Sequence, residues 1–137
     1  MALRKWVRAA GVLSGLAGAG GIILAALSAH RVSGAGLHNA AHLMLIHAAA
    51  SVALCGLALA LPRRGMWFAG AACVLLAGSL LFGSGIALGA VLNTELVQMV
   101  APLGGILLIG GWILVAVAAA IALGPSQEAA LHQKFEK

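Results

Sequence analysis

The sequence predicts an all-α integral membrane protein: one four-helix bundle running up-down-up-down, with both termini cytoplasmic. Three observations carry that prediction. Four long apolar stretches fill the chain from about Val7 to Leu123. Composition is 63% hydrophobic against 8% charged, with a mean hydropathy of +1.10, whereas a soluble domain carries about 25% charged residues. Basic residues punctuate the ends of the stretches instead of interrupting them. A hydrocarbon core ~30 Å thick is crossed by about 20 helical residues, so 137 residues hold four spans in a single membrane domain with little left over.

The first span is predicted over about 7–29, behind Arg4, Lys5 and Arg8. It exceeds the ~7–15-residue apolar core of a secretory signal and reads as an uncleaved helix. The second covers about 37–61 and is closed by Pro62-Arg63-Arg64, where proline stops the helix and arginine stems reach back to headgroups. After a tight turn the third covers about 65–92, opening on Met66-Trp67-Phe68, whose rings suit the membrane interface. The fourth covers about 96–123 and stops at Gly124-Pro125, leaving a short cytoplasmic tail over 124–137. No stretch alternates with period two, and each is twice the length of a barrel strand.

Charge sets the orientation. Arg4, Lys5, Arg8, Arg63, Arg64, Lys134 and Lys137 fall on one side and Arg31 alone on the other, which puts the N- and C-termini inside a bacterial inner membrane. The formal charge of +5 is scattered over these boundaries and forms no basic groove interleaved with aromatics, so nucleic acid is not an expected partner. Membrane lipids are. Pairs of small residues four apart, Gly11 with Gly15, Ser14 with Gly18, Ser79 with Gly83 and Gly85 with Gly89, let helix backbones approach closely. They serve packing inside one bundle or the faces of a homo-oligomer, and the first reading is preferred.

Four histidines are the polar residues of interest. His30 ends the first span, His38 and His42 stand one turn apart at the start of the second, and His47 lies deeper. His38 and His42 share a helix face and are the candidate metal ligands, but His47 is rotated by ~140° from His42, so one straight helix cannot direct all three at one ion. Met44, Met99, Cys55 and Cys73 are softer donors, and the spacing fits no familiar zinc or copper site. In the alternative reading His47 is hydrogen-bonded within the bundle near Ser51. The two cysteines are expected as apolar thiols, without a structural disulfide.

Two further segments predict backbone irregularity at similar depth. Phe82-Gly83-Ser84-Gly85 is expected to interrupt the third helix, and Ala101-Pro102-Leu103-Gly104-Gly105 the fourth, beyond its start. His47, Ser84 and the Pro102-Gly104 break would then form a polar cluster in the outer half of the membrane, with His30 at its rim. These five residues, His30, His47, Ser84, Pro102 and Gly104, are the candidate ligand-binding set, and a purely structural hydrogen-bond network is the alternative.

Those same segments, with Ile46-His47-Ala48, Pro62-Arg63-Arg64, the Leu24-to-His30 run and Gly111-Trp112, resemble the YgdD-like family of small four-helix inner-membrane proteins of uncharacterised function. The resemblance covers almost the whole chain. His30, His47, Phe82, Pro102, Gly104, Gly105 and Trp112 match the family pattern directly. Leu43 and Met44 stand where it has tyrosine and glutamine, Ala101 stands where it has threonine, and serine and glycine are exchanged after Phe82. The resemblance implies topology and motif positions, not a reaction.

On function, the residues favour a non-catalytic protein that holds a lipid, small ligand or partner helix. A small transporter or metal-handling protein using the histidines is the runner-up, weakened because no Asp or Glu lies within a span. An enzyme is least favoured, since Ser51 or Ser84 near His47 lacks a third catalytic member. No cofactor is implied.

Overall fold

A computed structural model describes residues 2–30, 35–61, 64–92 and 99–122. They form four helices: α1 (Ala2–His30), α2 (Ala35–Ala60), α3 (Gly65–Leu92) and α4 (Ala101–Ala122). All four are long and apolar enough to cross a bilayer, and the chain is a multi-pass membrane protein. Large apolar side chains face outward along every helix, among them Leu16, Ile22, Ile106, Ile109 and Ile113, as lipid-facing surfaces require.

Helix α1 starts earlier than hydropathy alone predicts. Arg4, Lys5 and Trp6 are compatible with helix and are exposed, so the helix continues into the polar interface past the apolar boundary at Val7. At the other end of the chain, the expected tail over 124–137 and the connectors at 31–34 and 93–98 lie outside the described residues.

The helices pack around α3, which touches each of the other three. Close contacts fix the register. Gly18 sits against Ala48, while a Cβ on Gly21 would stand 3.0 Å from the Leu45 side chain, so α1 and α2 run antiparallel. Between α2 and α3, the Ser51 hydroxyl donates to the Ala72 carbonyl at 3.3 Å, and Met44 packs onto Gly83. Between α3 and α4, a Cβ on Gly78 would lie 2.9 Å from the Leu108 nitrogen, and one on Gly111 would lie 2.6 Å from Leu75 Cδ2. Each pair descends one helix while climbing the next. Helix α4 therefore runs parallel to α2, on the far side of α3 from most of α1.

Small residues make this possible. Ala40, Ala41, Ala58, Ala71 and Ala72 are fully buried, and the main core joins the last three to Val7, Leu54, Phe68 and Leu75. Helices already in lipid gain little from apolar burial, so close backbone approach supplies dispersion contacts in its place. Gly65 is the tightest instance: any side chain there would overlap the Ala58 carbonyl across the turn joining α2 to α3.

The sequence reading is corrected at two points. Phe82-Gly83-Ser84-Gly85 does not interrupt α3, which is continuous to Leu92. Glycine within a helix need not break it when a neighbour fills the space, and Gly83 admits the Met44 thioether. Nor is the backbone interrupted across 101–105, which is continuous helix. Met99 and Val100 form a turn and α4 begins at Ala101, so proline occupies the first turn, where its missing N–H has no intrahelical partner to lose.

Candidate functional site

The buried polar centre of the bundle is His47. The residue is 4% exposed, and its side chain reaches Trp112 of α4. In the α3–α4 register, Gly78 pairs with Leu108 at this depth, and Trp112 follows Leu108 by one turn. Side chains of a helix lean toward its N-terminus, so the indole of Trp112 reaches back to the level of Leu108 and meets the imidazole. Trp112 Nε1 donates to His47 Nε2 at 3.1 Å, and the rings stand edge to face with centroids 6.1 Å apart.

The second ring nitrogen is also engaged. His47 Nδ1 lies 2.7 Å from the Leu43 carbonyl oxygen one turn earlier in α2. An indole N–H only donates, so Nε2 must accept and Nδ1 must carry the hydrogen that goes to Leu43. Both nitrogens are saturated by the protein itself. Ser51, the expected partner one turn below, points elsewhere and donates to Ala72.

The rest of the candidate ligand-binding set divides by burial. Gly104 is buried in the α3–α4 seam, where a Cβ would lie 2.8 Å from the Gly78 carbonyl and would strike the Phe82 backbone nitrogen. His30, Ser84 and Pro102 are exposed on three different helices. Thus His47 and Gly104 hold helices together, while the other three face the surroundings. Four clefts in the described surface border α1, and none is lined by any of these five residues.

Comparison with protein-family models, with curated proteins and with solved structures finds no match to this chain. Function must be read from the side chains.

The rings of the candidate metal ligands His38 and His42 lie 4.3 Å apart between centroids, tilted by 51°, and both residues are exposed. His42 Nδ1 lies 3.1 Å from the His38 carbonyl. Among the described residues no group of three or more His, Cys, Asp or Glu converges, so this pair lacks the further protein ligands that zinc normally takes. Cys55 is buried in the main core and Cys73 is half-buried against it, both as free thiols.

Hydroxyls complete the inventory. Ser14, Ser28 and Ser79 donate to carbonyls three or four residues earlier in their own helices, at 2.8, 2.8 and 3.0 Å. No buried side-chain nitrogen or oxygen of the described residues lacks a partner. Such closed pairings stabilise polar groups where water is absent. Sequence reasoning located His47 but missed its partner. The available signal was chemical: a tryptophan in an apolar helix brings a donor that needs an acceptor.

Proposed function

We propose that this chain is a multi-pass protein of the bacterial inner membrane, with both termini cytoplasmic and of the YgdD-like kind, that works by non-covalent association within the bilayer. The observation that carries this reading is the saturation of His47. Its two ring nitrogens face the Leu43 carbonyl and the Trp112 indole, so this buried side chain holds α2 to α4 instead of presenting a lone pair to a substrate. A general base, proton carrier or metal ligand needs that lone pair. The exposed members of the predicted cluster, His30, Ser84 and Pro102, are then surface groups available to a lipid, small ligand or neighbouring helix.

Histidine-based transport remains the competing reading and is less favoured on the same observation. Purified protein reconstituted into vesicles with a trapped pH dye tests both. Association predicts proton leakage equal to that of protein-free vesicles, unchanged by His47→Leu. Flux that depends on His47 would overturn the proposal.

A further inference from the structure

We propose that the α1–α2 face is a binding groove for an anionic phospholipid, with its phosphate held by Arg4 and Arg8 and an acyl chain lying over Gly11, Gly15 and Gly56. This site is separate from the His47 centre.

Geometry comes first. Two clefts, of about 450 Å³ and about 470 Å³, follow one another along the same pair of helices. The first runs from Arg4 to Val12 on α1 and from Cys55 to Leu59 on α2; the second runs from Ser14 to Ile22 and from Leu45 to Val52. Together they extend for ~27 Å of α1, close to the thickness of a hydrocarbon core. The walls are almost wholly apolar.

The floor is made by glycines that the fold itself does not need there. A Cβ at Gly11, Gly15 or Gly56 would meet nothing within 4 Å, in contrast to Gly78, Gly104 and Gly111, where it would collide. The expectation that Gly11 and Gly15 serve packing inside the bundle is therefore corrected. Their small size leaves open space against the backbone on this face.

Charge selects the occupant. Arg4 and Arg8 are one turn apart, both exposed, and both line the first cleft at one end. They stand in the first turns of α1, where the helix dipole adds further positive potential. The described residues contain no Asp or Glu to offset them. A second copy of this chain docking symmetrically on this face would bring four guanidinium groups together, whereas a phosphate with a chain below it matches both the charged end and the apolar floor.

The test is native mass spectrometry of the purified full chain titrated with phosphatidylglycerol or phosphatidylcholine. Wild type should favour phosphatidylglycerol by about twenty-five-fold, since each basic group near an anionic surface is worth about fivefold. The double variant R4Q/R8Q should lose that preference. G11L/G15L, and independently G56L on the opposite wall, should weaken both lipids alike with helix content unchanged by circular dichroism, because the added side chains enter open space. Equal affinity of wild type for the two lipids would overturn the proposal. So would glycine variants that bind as wild type does, which would reduce the effect to surface charge, or a wild-type dimer that G11L/G15L dissociates without altering lipid binding.

Discussion

Trp112 and His47, sixty-five positions apart, are joined by an indole-to-imidazole hydrogen bond of 3.1 Å that ties α4 to α2 across the flank of α3. It is the side-chain link between helices that are not neighbours in the α3-centred packing, and losing either partner has distinct consequences. Trp112→Phe removes the donor and leaves buried Nε2 without a partner, so thermal stability in detergent should fall by about 1–3 kcal/mol. His47→Leu removes both ring nitrogens but leaves the Trp112 indole N–H without its acceptor, so it should cost a similar amount. A double-mutant cycle should return a coupling of ~0.6–1.7 kcal/mol, the range found for interhelical bonds in membranes. Additive losses would mean that the bond contributes nothing.

The same pair fixes a tautomer. With Nε2 accepting from Trp112 and Nδ1 donating to Leu43, ¹⁵N spectra of histidine-labelled protein in lipid should show His47 protonated at Nδ1 alone. Trp112→Phe should change that signal. An Nε2–H tautomer in wild type would contradict the geometry.

Two neighbouring glycines should respond oppositely to the same substitution. Gly104→Ala drives a methyl into the Phe82 and Gly78 backbone and should separate α3 from α4, costing about 1–3 kcal/mol, as overpacking does. Gly105 has open space beyond its Cα, and Gly105→Ala should be neutral or stabilising by up to ~1 kcal/mol through helix propensity. Thermal unfolding of the two variants side by side checks this. Equal effects would show that the seam is not as tight as described.

Topology and thiol burial can be read together by maleimide labelling. In intact cells, single cysteines at Arg4 and at Lys137, placed in a background lacking Cys55 and Cys73, should resist a membrane-impermeant reagent and react after permeabilisation. In wild-type protein, Cys55 should remain unlabelled until detergent unfolds the bundle, since it is 6% exposed. Labelling of Lys137→Cys from outside would reverse the orientation.

Much of this architecture was legible in the sequence, and the parts that were not share a cause. Hydropathy and flanking arginines located α1, α2 and α3 to within a few residues, because lipid demands continuous apolar helix whatever the neighbours are. Proline and glycine misled. Pro102 reads as a break only if the helix starts before it, and α4 starts at Ala101. Gly83 loosens a helix only if nothing fills its gap, and Met44 fills it. Likewise Gly11-Gly15 and Ser79-Gly83 have the same spacing, yet the first pair opens outward and the second is buried. Rotation of each helix about its axis decides such cases, and weakly patterned apolar helices carry little record of that rotation. The pairing of His47 with Trp112 rather than Ser51 was hidden for the same reason.

Because α3 carries contacts to all the other helices, and α4 adds Leu108, Ala118 and Ala122 to the core through its glycine seam with α3, the order of synthesis matters. A nascent chain that has delivered only its first three segments already contains most of the buried alanines, and so should settle before translation ends. The last segment then arrives at a finished seat, keyed by Gly78 and the waiting imidazole. An early trio followed by a late docking step is the expected order, and truncation after Leu92 should then leave a membrane-inserted, protease-resistant remnant.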